Sequence, residues 1–165
     1  MELYLIRHGI AVDRDIEIED DERALTAQGR QKTQKVAKRL EQIGLRFDLI
    51  LTSPLVRSRQ TAEILQNSGL SPQIEASASL APDGNIKTWL SWLEQWRQVD
   101  SSTLVLALVG HQPNLGQWAE ILVWGEARDG IALKKAGIVG LTLPATASPV
   151  GLCQLFLLTQ PKFLL

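Results

Sequence analysis

Glu2-Leu3-Tyr4-Leu5-Ile6-Arg7-His8-Gly9 decides how this chain is read. Glu2 to Ile6 spell a short buried β-strand, and the strand runs directly into Arg7, His8 and Gly9. That order puts a guanidinium and an imidazole at the strand's C-terminal edge, where Gly9 lets the backbone turn away without a side chain. In parallel α/β sheets the ligand crevice lies at this edge. Neutral imidazole is a good nucleophile near pH 7, so a histidine placed there can attack phosphorus. A charge pair at an exposed strand end would use the same residues, and the tripeptide alone does not separate the two.

Working outward, the same grammar of strand, turn and helix recurs. Leu25-Thr26-Ala27-Gln28-Gly29 starts a helix with Thr26 as N-cap, expected to run to Ile43 and stop at Gly44. Phe47 to Thr52 is a short strand, and Ser53-Pro54 is expected to open the next helix, with Arg57 in its first turn. Gln73 to Ala76 is a possible strand, followed by a turn at Pro82-Asp83-Gly84. Ile86 to Val99 has helical spacing, with Ile86, Trp89, Leu90 and Leu93 on one stripe and Trp92 off it. Its tryptophans fit either core packing or a partner surface. Leu104 to Val109 is a continuous apolar run, as in a central parallel strand, and leads into Gly110-His111-Gln112-Pro113 and a helix closed by Gly125. Gly137 to Leu143 and Gly151 to Leu158 read as two last strands, an antiparallel pair joined by the loop from Pro144 to Pro149. The expectation is one α/β domain over residues 1–165, three-layered, with a mainly parallel sheet and an antiparallel edge.

Composition narrows the function classes. A chain of 165 residues with 45% hydrophobic content is long enough for a full core. A net charge of −1 argues against nucleic acid as the main partner. The single cysteine, Cys153, fits a reducing compartment and reads as an inert core thiol. The first apolar run is too short for a signal peptide and the later ones too short for a bilayer, so a cytoplasmic protein with no membrane partner is expected. Charge is unevenly spread. Residues 13–22 hold seven of the eighteen acids against one base, Arg14, leaving sixteen bases to eleven acids elsewhere. This stretch is either a solvated loop or a rim shaping the site after His8.

Four basic positions share the grammar: Arg7 with His8, Arg23 ahead of the Thr26 cap, Arg57, and His111. Helix N-termini favour anions, and the planar fork of arginine binds phosphate oxygens in pairs. Two histidines and two or three arginines converging would make a phosphate pocket. A metal site is the weaker use of these residues, since a third histidine or cysteine ligand is missing and arginines repel a cation. No Gly-x-Ser-x-Gly elbow and no P-loop signature occurs in the chain.

Arg7-His8-Gly9, Leu25-Thr26-x-x-Gly29, Ser53-Pro54-x-x-Arg57-x-x-Gln60-Thr61 and Gly110-His111-x-Pro113, in this order, resemble the histidine phosphatase superfamily. With the short chain and the Arg23-Ala24-Leu25-Thr26 variant, the resemblance is greatest to the SixA-type phosphohistidine phosphatases. It implies a phosphoglycerate mutase-like fold, with His8 as the nucleophile that carries a transient phosphoryl group. Arg7, Arg57 and His111 would hold the phosphoryl oxygens, and Arg23, Gly9 and the backbone amide of Gln112 would add contacts. No metal or cofactor is implied, and the partner would be a protein bearing phosphohistidine, in signal transduction. The motifs do not bear on oligomeric state. Larger members carry an acidic general acid after the third strand. Here only Asp83 is available there, and a turn-forming aspartate before glycine is its plainer reading. Two rivals remain: a phosphomonoesterase on small metabolites, with Asp83 or an acid of the 13–22 loop as proton donor, and a non-catalytic module that binds phosphohistidine.

Overall fold

A computed structural model describes residues 1–97, 102–145 and 147–165. Six strands form one sheet: β1 (Glu2–Arg7), β2 (Leu49–Thr52), β3 (Ile74–Ala76), β4 (Val105–Gly110), β5 (Ile138–Thr142) and β6 (Gln154–Thr159). Their order is β3-β2-β4-β1-β5-β6. The first four run parallel, β5 runs against β1, and β6 against β5, so the antiparallel hairpin lies at one edge. The helices are α1 (Ala27–Gln42), α2 (Val56–Asn67), α3 (Ile86–Trp96) and α4 (Asn114–Trp124).

Side chains alternate across the sheet and give it two cores. Leu3 and Leu5 of β1, Leu51 of β2 and Leu106 and Leu108 of β4 pack against Trp89 and Leu93 of α3 and Trp118 and Leu122 of α4. Tyr4 and Ile6, Ile50, Ala107 and Val109 pack on the opposite side against Val36 and Leu40 of α1 and Ala62 and Leu65 of α2. The α/β three-layer architecture is therefore as expected. Among the described residues no helix is long and apolar enough to cross a membrane.

The expected boundaries mostly hold to within a few residues. Thr26 caps α1 through its hydroxyl to the Gly29 N–H at 2.9 Å, and Gly125 ends α4 at φ +86°. The expected run of α3 to Val99 passes into residues 98–101, outside the described residues. Within α3, Trp89 is fully buried, whereas Trp92 stacks on Trp96 at 5.5 Å along the flank of the core. Cys153 is buried just ahead of β6, and burial pushes its thiol up to about 12, which makes it inert.

One expected start is wrong. Ser53 and Pro54 do not open α2, which begins at Val56 with Leu55 as an extended N-cap. A residue before proline is biased toward extended backbone, and the Ser53 N–H continues the sheet by bonding the Val109 carbonyl at 2.9 Å. Its hydroxyl is thereby carried into the site.

Candidate active site

In the register of β1 and β4, Arg7 pairs with Gly110, and the His8 N–H bonds the Gly110 carbonyl at 3.0 Å. His8 and His111 therefore leave the same sheet edge side by side, with ring centroids 5.3 Å apart. His8 Nδ1 lies 2.7 Å from the Gly9 carbonyl. A carbonyl only accepts, so Nδ1 carries the proton and Nε2 keeps its lone pair. Burial, aided by the positive field of His111, Arg57 and Arg7, lowers the imidazole to about 3 even though the Gly9 bond opposes it. His8 is then neutral at pH 7.

His111 is held from its other nitrogen. Nε2 lies 2.7 Å from Ser53 Oγ and 3.4 Å from Ser58 Oγ. Burial, with Arg57 next in weight, lowers this ring to about 4. Five buried side-chain nitrogen or oxygen atoms lack a hydrogen-bond partner among the described residues, and three of them cluster here: Arg7 Nε, Arg57 Nε and His111 Nδ1. Buried polar groups are paired in nearly every fold, so three orphans on one patch mark a site built for a polar ligand. Two of the three belong to guanidiniums, which selects an anion.

The surrounding motif residues hold this geometry. The Gly9 N–H donates to Thr61 Oγ1 at 3.0 Å, and the Thr61 hydroxyl donates to the Arg57 carbonyl at 2.8 Å. The Gln60 side chain accepts from the Leu25 N–H at 2.8 Å. Gly29 has no Cβ because one would meet the Ile10 carbonyl oxygen at 2.0 Å. The Gly9 amide is thus already engaged within the protein. Gln112 lies ahead of α4, and its side chain bonds Ile131 and Leu133 of the following loop. That loop returns to the site, where the Leu133 carbonyl accepts from Arg7 Nη1 at 2.8 Å.

Two carboxylates were not singled out by the sequence reading. Asp20, in the acidic stretch, accepts from Arg57 Nη2 at 3.2 Å and Arg23 Nε at 2.9 Å, and its carbonyl accepts from Arg57 Nη1 at 2.7 Å. Burial pushes the Asp20 carboxyl up, but Arg57 and Arg23 outweigh it and hold it below the usual carboxylate range. The acidic stretch is therefore a rim of the site at this residue. Its Asp-x-x-Arg spacing on a single turn was the available signal. Glu120 is fully buried on α4 and accepts from the backbone N–H groups of Arg128, Gly130 and Ile131, which fixes the loop that carries Leu133. Burial pushes the Glu120 carboxyl up, and these N–H groups more than offset it and keep it ionised. An acid on an otherwise apolar helix face was the clue there. Asp83 lies exposed in the turn that the Gly84 N–H closes on Ala81.

Comparison with known proteins places this geometry. The profile of the Histidine phosphatase superfamily (branch 1) matches residues 3–80. An uncharacterized protein of Picosynechococcus sp. is 50% identical over all of this chain and 99% of its own length. The chain belongs to the histidine phosphatase superfamily. Serine/threonine-protein phosphatase Pgam5 of Drosophila grimshawi shares 37% identity over 65 residues, and the chain spans only 22% of that relative's length. Among solved structures, the protein histidine phosphatase SixA complexed with tungstate superposes with a TM-score of 0.85 at 22% identity, covering 99% of both chains. The alpha-ribazole phosphatase of Shigella flexneri superposes at 0.69 with 16% identity, covering 98% of this chain and 97% of that one. At these identities the likeness is one of fold, and it is phosphoglycerate mutase-like as expected. Superfamily and site together make the chain a phosphatase.

Proposed function

We propose that this phosphatase removes the phosphoryl group from a histidine of a partner protein. The supporting observation is a neutral His8 with Nε2 as its lone-pair nitrogen, beside orphaned polar atoms of Arg7, Arg57 and His111. His8 Nε2 forms a bond to phosphorus as the N–P bond of the substrate breaks, and the substrate imidazole leaves. Arg7, Arg57 and His111 stabilise the charge on the three phosphoryl oxygens, with Arg23 behind Arg57 through Asp20. Water then takes the phosphoryl group from His8 and releases orthophosphate.

Leaving-group chemistry favours this substrate class. An alkoxide needs a proton from a positioned acid, whereas an imidazole departs with little help. The carboxylate at the pocket, Asp20, is kept ionised by its arginines and is a poor donor, and Asp83 is exposed in a turn. The reading includes a cytoplasmic location, supported by the free and buried Cys153. The test is a panel assay with a phosphohistidine protein and several alkyl phosphates. We expect kcat/KM on the former to be higher by ~10²-fold or more, the usual scale of general acid catalysis. Comparable rates on the esters, with a large loss in Asp20→Asn or Asp83→Asn, would favour a phosphomonoesterase.

A further inference from the structure

On the Arg7 side of the pocket lies a cleft of about 410 Å³ whose lining includes Arg7, Lys32, Lys134, Lys135, Pro161 and Lys162. The lysines come from three separate parts of the chain. Lys32 is on α1, Lys134 and Lys135 are in the loop before β5, and Lys162 is in the C-terminal turn Pro161–Phe163. No acidic residue lines the cleft, and among the described residues none of the four lysines forms an ion pair. The Lys162 ammonium lies 4.8 Å from the Phe163 ring centroid. The rim at Asp20 differs in kind: Arg14 and Arg23 share a depression with Asp15 and Asp20, and both arginines pair with Asp20. The mouth of the site therefore has one side where positive charge is compensated and one where it is not.

Like charges gathered without counter-charges repel one another and are relieved when an acidic surface docks. Because Arg7 belongs both to this cleft and to the phosphate pocket, whatever fills the cleft is joined to the group being dephosphorylated. Lysines are flexible point charges, here spread over three segments, and suit several carboxylates on a surface better than one small anion gripped in a fork. We infer that the Lys32–Lys134–Lys135–Lys162 cleft is the docking site for an acidic surface flanking the phosphohistidine of the partner protein. This rests on the phosphohistidine reading above and adds to it the charge of the partner.

Synthetic peptides with one phosphohistidine between glutamate, glutamine or lysine flanks test it. At low salt the wild-type enzyme should favour the glutamate-flanked over the glutamine-flanked peptide by about tenfold in kcat/KM, and the preference should shrink as salt screens it. In Lys134→Glu/Lys162→Glu that ratio should fall below one. In the milder Lys134→Gln/Lys162→Gln, which keeps the inference testable if charge reversal harms folding, it should approach one. Equal rates on all three peptides with wild type, or a ratio unchanged in both variants, would overturn the docking site and leave the phosphohistidine activity standing. Wild type that cleaves phosphate esters but none of the peptides would instead remove the activity reading, and this inference with it.

Discussion

His8 ends β1 and His111 ends β4, two parallel strands in register, so the rings enter the pocket as near equivalents. Both are buried and both are lowered far below an ordinary imidazole. What separates them is the nitrogen that the protein holds. His8 gives Nδ1 to the Gly9 carbonyl, which fixes a proton there and leaves Nε2 nucleophilic. His111 has Nε2 among the hydroxyls of Ser53 and Ser58, which can donate or accept, and its Nδ1 has no partner among the described residues. In the mechanism proposed above, two copies of one residue type at one sheet edge divide into nucleophile and charge stabiliser, and their different backbone and hydroxyl neighbours support that division.

The sharpest way to break that division is to remove each ring in turn. His8→Ala should lose ~10³-fold or more in turnover, because the covalent route disappears with it. Rapid quenching with a labelled phosphoryl donor should trap acid-labile label in wild type and none in this variant. His111→Ala should keep the label but turn over ~10²-fold more slowly, as should Arg57→Ala, the scale of losing one transition-state donor. Label retained in His8→Ala, or abolished in His111→Ala, would reverse the roles.

Acidity gives a further test. His8 is lowered to about 3, so its neutral, nucleophilic form persists as pH falls and is lost only on approach to that value. From pH 7 to 5, kcat/KM on phosphoramidate, corrected for substrate ionisation, should change by less than about threefold. A histidine at the ordinary 6.5 would lose about 25-fold in neutral form over the same range. A fall of that size would show that His8 is not desolvated as the structure has it. Ser53→Ala should be milder, about tenfold or less in kcat, because the Ser58 hydroxyl still lies beside His111 Nε2. A loss as large as that of His111→Ala would mean that Ser53 does more than orient the ring.

Strand ends, helix caps and the four basic positions were legible in the sequence because each has a local signature. A β-run into Arg-His-Gly, a threonine three residues before glycine, and an apolar strand into Gly-His can all be read without knowing what lies opposite. Ser53 was misread because a serine before proline has two uses, capping a helix or extending a strand end, and only the neighbouring β4 selects the second. Gly9 was expected to add a contact to the phosphate, and the sequence does not show that Thr61, distant along the chain, accepts from its amide. Asp20 was read only as one acid of the 13–22 stretch, and Glu120 was not read at all, because their partners lie across loops whose paths the sequence does not give.

Asp20 offers the finest probe of the comparison, because its charge weighs more on one histidine than on the other. Its negative charge is among the main influences on His111, whose imidazole it raises, and is not among the main ones on His8. It also compensates Arg57 and Arg23, and pairs with the more exposed Arg14. Asp20→Asn keeps an oxygen for those donors and removes the charge. The His111 imidazole should therefore titrate lower still while His8 holds its value, which heteronuclear NMR of the two rings can follow. With less of the arginine charge cancelled, inorganic phosphate and tungstate should inhibit more tightly by a few-fold, the scale of a partly exposed ion pair. Weaker inhibition would show that the carboxylate serves mainly to aim Arg57. A matching shift in His8 would show that the field of the rim reaches both rings, and the separation between them would then rest on hydrogen bonding alone.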